Sequence, residues 1–120
     1  MRFYCTDDTV DLEQYPYHVR DVHISDPFIL ADPKSRCYYT YVQFADTERF
    51  PDVETDKEHG VFYVLESKDL IHWSKPQICF RQNNFWADKD YWAPEVHIWK
   101  GRYYLFSSFR ADGHYANVSA

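Results

Sequence analysis

The chain has 120 residues, a formal net charge of −6 and 20% aromatic side chains. The length suits one small domain. The acidic balance and scattered basic residues exclude a nucleic-acid partner, whose phosphates would be repelled, and no apolar run approaches the ~20 residues that span a bilayer, so no membrane partner is expected.

Residues 1–22 carry no strong period. Met1 to Asp11 is polar and acidic and lacks the basic and apolar regions of a secretory signal. A cytoplasmic chain is therefore the default expectation, with a secreted protein of trimmed start as the alternative. Tyr15-Pro16-Tyr17 reads as irregular chain, or as a short strand donated elsewhere in the fold. The stretch 23–30 then sets Asp26 directly before Pro27, at the mouth of the apolar run Phe28-Ile29-Leu30. The proline biases Asp26 towards extended backbone, and the run reads as a strand buried on both faces. Asp26 is either a turn residue or a working acid or base. Asp32-Pro33 starts a turn, and Cys37 to Phe44, rich in aromatic and β-branched residues, completes a hairpin. Residues 45–60 are polar and acidic and read as a surface insertion with a solvated face. Val61 to Ser67 is the third strand. Ser67 and Asp69 fix a turn by bonding nearby N–H groups, with Leu70 and Trp73 facing the core from one helical turn. Lys75 to Phe80 is a fourth strand, and Pro76 near its start suits an edge.

After a loop at 81–91 the pattern restarts. Glu95 to Trp99 is a strand, Lys100-Gly101 a tight turn, Arg102 to Phe109 a second strand, and 110–120 is polar without pattern. Pro27 and Pro94 are 67 residues apart and the Tyr-Tyr pairs 38–39 and 103–104 are 65 apart. A repeat of four-stranded antiparallel units points to an all-β β-propeller. Residues 1–22 are then an irregular lead-in, 23–80 a first blade and 81–120 the start of a second, about one and a half blades. The third and fourth strands of the second blade have no sequence to come from, so the chain reads as the amino-terminal part of a larger propeller. Cys5, Cys37 and Cys79 are odd in number and lack metal-ligand spacing; Cys37 and Cys79 read as small buried apolar residues. His97, with no partner at ligating spacing, reads as a core histidine. Neither metal nor cofactor is expected.

Three motifs appear in order: 23–30, 67–73 and 91–106, the last holding Tyr91-Trp92-Ala93-Pro94-Glu95-Val96-His97 and Lys100 to Phe106. Together, over about residues 20–110, they resemble the start of glycoside hydrolase family 43. These are five-bladed propeller enzymes that cleave arabinose- and xylose-containing glycans. The resemblance implies that Asp26 is the general base of an inverting mechanism, in which the two carboxyl groups stand about 6.5–9.5 Å apart with a water between base and sugar. The family's general acid, a Glu, and an Asp that tunes it come from later blades, so this chain alone is expected to be inactive. Glu95 stands where the family often has Asp, as a cleft-side or a structural carboxylate. Ser25 stands where many relatives carry a basic residue. Trp92 is the candidate sugar-stacking wall, with Trp86 and Tyr91 behind it; the alternative for Trp92 is blade-to-blade packing. The implied partners are an oligosaccharide or polysaccharide substrate and the remaining blades. The alternative function is a non-catalytic carbohydrate-binding or degenerate propeller module.

Overall fold

A computed structural model of the chain describes residues 10–22, 24, 28–43, 48–55, 61–81, 85–87, 89–113 and 118–119. Asp26, Ser25, Pro27 and Cys5 lie outside the described residues. Aromatic and β-branched runs bounded by turn residues pair into two antiparallel sheets. Among the described residues the helix is confined to a 3-10 turn at Val19–Asp21, and no helix is long and apolar enough to cross a membrane. The first sheet holds β1 (Tyr17–His18), β2 (Phe28–Asp32), β3 (Cys37–Val42), β4 (Val61–Ser67), β5 (His72–Trp73) and β6 (Gln77–Arg81). Its order is β1-β5-β4-β3-β2, with β6 also on β4. The second sheet is β7 (Lys89–Trp99), β8 (Arg102–Arg110) and β9 (Val118–Ser119), in that order. The long strands β2, β3, β4 and β6 make the expected four-stranded unit, and β7 and β8 begin the next. A third strand of that second unit does start within 110–120, because Val118 pairs with Phe109 and Ser119 with Ser108.

Local chemistry sets the turns. Between β2 and β3, Arg36 N donates to Asp32 O at 2.9 Å and Arg36 takes φ 58. Between β7 and β8, Lys100 (φ 48) and Gly101 (φ 74) form a two-residue turn whose twist matches the strands. After β4, Ser67 Oγ accepts from Leu70 N at 2.9 Å, and Asp69 Oδ1 accepts from Ile71 N at 2.9 Å and His72 N at 2.8 Å. His72 Nδ1 donates to Asp69 Oδ2 at 2.8 Å. Burial alone would raise the Asp69 pKa, but these hydrogen bonds together outweigh it and hold the carboxyl below its ordinary value. Leu70 and Trp73 do reach the core, yet through a bend with Leu70 at φ 66 and the short β5 rather than a helical turn.

Alternation along β4 builds two cores. Val61, Tyr63 and Leu65 join Tyr17, Tyr38, Val42, Phe50 and Trp73 on one side. Phe62 points the other way, into a second cluster with Ala87, Tyr91 and Phe109 that joins the sheets. Four expectations change here. The 48–53 part of the acidic insertion is anchored, since Phe50 is buried with its ring 4.5 Å from that of Tyr17. Residues 10–22 of the lead-in are anchored through Tyr15 and Tyr17, both buried. β2 is not buried on both faces: it ends the sheet, and Ile29 is 48% exposed. Cys37 is buried, but Cys79 on β6 is exposed.

A line of polar groups crosses from the lead-in to the second sheet. Tyr15 Oη donates to Glu66 Oε2 at 3.2 Å. The Tyr39 hydroxyl lies 3.4 Å from Glu66 Oε1 and 3.2 Å from Ser35 Oγ, and its one proton serves one of them at a time. Ser35 Oγ donates to Asp32 Oδ2 at 3.0 Å, and Tyr103 Oη of β8 donates to the same oxygen at 2.5 Å. Asp32 also accepts from Lys34 N at 3.0 Å. Burial would raise the Asp32 pKa, but the hydrogen bonds from Tyr103, Lys34 and Ser35 outweigh it and lower the carboxyl from its ordinary 3.8. Asp32 itself has almost no solvent contact, yet an exposed turn covers it and water there still screens charge. Tyr103→Phe is therefore expected to cost only about 1 kcal/mol near neutrality. The contribution of Asp32 is present above 3.8 and lost as the pH falls below that through the depressed folded value. Urea melts of both proteins should converge in acid.

Candidate functional site

The site grows from irregularity in β7. Its pairing runs Lys89 with Arg110, Trp92 with Ser108 and Glu95 with Phe106, so three residues of β7 oppose two of β8 in each interval. These are two β-bulges, which bend a strand and re-aim its side chains. Pro94 explains one of them, since it has no N–H to give to a ladder; it is fully buried. Ala93 before it takes φ 49, a region that residues with a Cβ rarely occupy.

In a regular strand, residues three apart face opposite ways. The extra residue cancels that. Trp92 and Glu95 oppose Ser108 and Phe106, which lie two apart on one face of β8. Trp92, Glu95, His97 and Trp99 therefore form one outward row, with Phe106 and Tyr104 across from it. Trp92 is 44% exposed, and Glu95 is exposed beside it. Glu95 Oε1 is 3.6 Å from His97 Nε2. The His97 ring lies 5.3 Å from that of Phe28, which opens β2, and 6.0 Å from that of Phe106. At the far end, Trp99 and Tyr104 rings are 6.3 Å apart and Lys100 Nζ sits 4.4 Å over Trp99. The row combines flat apolar faces with a carboxylate and an imidazole, the groups needed to stack on a sugar ring and hydrogen-bond its hydroxyls.

Of the residues singled out by sequence, Trp92 and Glu95 share this row. Tyr91 faces the other way: it is buried, with its ring 5.0 Å from Phe109 and 5.5 Å from Phe62, and its hydroxyl donates to Ala87 O. Trp86 is exposed on the loop before β7, 5.4 Å from the Phe85 ring. His97, expected in the core, is instead exposed on the row. Ala-Pro in the middle of an apolar strand was the signal for the bulge that places it there. Among the described residues, no group of three or more His, Cys, Asp or Glu could hold a metal. Two open depressions of about 400 Å³ line the β4–β6 side of the first sheet, one beside Glu54 and Arg81 and the other beside Tyr39 and Glu66; neither includes Trp92 or Glu95.

Comparison with known proteins agrees with this architecture. The model of the family described as "Glycosyl hydrolases family 43" matches residues 18–118. Among solved structures, the chain is similar to the endo-arabinase from Bacteroides thetaiotaomicron VPI-5482, at 32% identity and a TM-score of 0.65. The match covers 82% of this chain and 30% of that one, so the chain spans less than a third of that enzyme's length. No curated protein sequence matches. The two antiparallel sheets are part of a β-propeller, and the chain belongs to glycosyl hydrolase family 43.

Proposed function

We propose that the chain supplies the first blade and the start of the second in a glycoside hydrolase acting on arabinose-containing glycans. The observation that carries this reading is the outward row Trp92, Glu95 and His97 beside Phe28 at the start of β2. Trp92 offers the stacking plane, and Glu95 and His97 offer hydroxyl partners. Trp86, exposed on the loop before β7 with its ring 6.3 Å from that of Phe109, is a second stacking candidate outside this row, and Tyr91 supports β7 from within the core. Asp26 is the general base. It takes a proton from water as that water attacks the anomeric carbon, while a Glu of a later blade protonates the departing oxygen. The far end of the row, Trp99 and Tyr104, fits the next blade as a packing face.

The test is ¹H NMR of the whole protein carrying this chain, incubated with arabino-oligosaccharides. The first-formed product should have the anomeric configuration opposite to that of the bond cleaved. A retained configuration overturns the inverting mechanism. Sugar binding without hydrolysis turns the reading to a carbohydrate-binding module.

A further inference from the structure

The Trp92–Ala93 peptide group is held at both ends by side chains. Its carbonyl, Trp92 O, accepts a hydrogen bond from Ser107 Oγ on β8. Its amide, Ala93 N, donates to Gln43 Oε1 at 3.1 Å. Gln43 follows β3 in the first sheet and Ser107 is buried in the second, so one peptide plane is clamped by both sheets. The bulge is the reason a clamp is needed. An inserted residue falls outside the regular ladder, and backbone polar groups left there still require partners. Ala93 at φ 49 lacks the steric freedom that would make this conformation its default. The orientation of the peptide plane constrains the direction of the bond from Cα to Cβ of Trp92, and with it the positions that its exposed indole can reach through its staggered rotamers.

We propose that Gln43 and Ser107 are positioning residues, which set the Trp92 indole at the angle a flat sugar face requires and tie that angle to the packing of the two blades. This rests on the role proposed above for Trp92. It adds a substrate-binding determinant that neither touches the sugar nor stands in any of the three motifs. The chemistry of each side chain fits its place. Gln43 presents a neutral acceptor long enough to reach from the end of β3. Ser107 presents one donor in a space that a larger side chain would overfill.

The test uses the whole protein labelled with 5-fluorotryptophan, with the ¹⁹F signal of Trp92 assigned by its loss in Trp92→Phe. Gln43→Ala and Ser107→Ala should each broaden or split that signal in the absence of sugar. Gln43→Glu, which keeps an acceptor at the same reach, should restore a single line. Affinity for arabinotetraose should fall about tenfold in Gln43→Ala, with no further fall when Gln43→Ala is added to Trp92→Ala. A single unshifted line in both alanine variants overturns the clamp. Equal arabinotetraose affinity in wild type and Trp92→Ala overturns instead the cleft role of Trp92, and the sugar-free spectra then decide the clamp by themselves.

Discussion

Asp26→Asn should lower kcat of the whole enzyme by roughly 10²–10⁴ while leaving its melting temperature in place. The substitution is nearly isosteric, so it removes the proton acceptor and little else. An amide does not take a proton from water at neutral pH, and the attacking water then lacks its base. The acid limb of the kcat/KM profile, which reports ionisation of that base in the free enzyme, should vanish with it. The repeat within the chain is the reason to expect a chemical rather than a structural role. The second unit keeps the proline as Ala93-Pro94 and has no acid before it. Pro94 lies within β7 and stands there with no carboxylate before it, so the proline's place in the unit does not require one. A variant that keeps activity within about tenfold of wild type would remove Asp26 from the mechanism.

Phe62→Ala should destabilise the chain by about 3–5 kcal/mol in urea melts. Phe62 has no solvent exposure and sits on β4 facing the second sheet, with ring contacts of 5.5 Å to Tyr91, 6.0 Å to Phe80 and 6.1 Å to Phe109. Its loss opens a cavity at the junction of the two sheets, where neither sheet is free to relax without leaving the other. Against a typical domain stability of about 5–15 kcal/mol, this is a large share. Phe62→Leu keeps more of the volume and should cost less. A loss below about 1 kcal/mol for the alanine variant would mean that the sheets hold together by other contacts.

The long strands were legible because their residues repeat. Tyr38 to Val42, Val61 to Ser67 and Tyr103 to Phe109 carry enough aromatic and β-branched side chains to declare themselves. The short strands were not, because two residues hold no period. β1 exists through Tyr17 opposite Trp73, and β9 through Val118 opposite Phe109; each is a property of its partner. Charge in the insertion hid Phe50, and the apolar run at 28–30 concealed that β2 ends its sheet. At the site, the motif drew attention to Trp92 and Glu95, but plain alternation puts them on opposite faces. What aligns them is a bulge whose hydrogen bonds come from Gln43 and Ser107, far off in sequence. Tyr91 and Trp92 are neighbours in the chain, yet one is interior and the other exposed.

The polar line from Tyr15 through Glu66, Tyr39, Ser35 and Asp32 to Tyr103 has a consequence for how the molecule opens. Carboxylates stand at two points along it, each bonded to phenols brought from distant segments. Peeling away the lead-in strips Glu66 of the Tyr15 donor, and lifting the second sheet strips Asp32 of the Tyr103 donor. Either loss leaves a carboxylate short of partners, and the Tyr39 proton, shared between the two branches, redistributes towards the poorer one. Tyr15 of the lead-in and Tyr103 of β8 are thereby joined through one polar network, so that loosening either is felt along the line to the other.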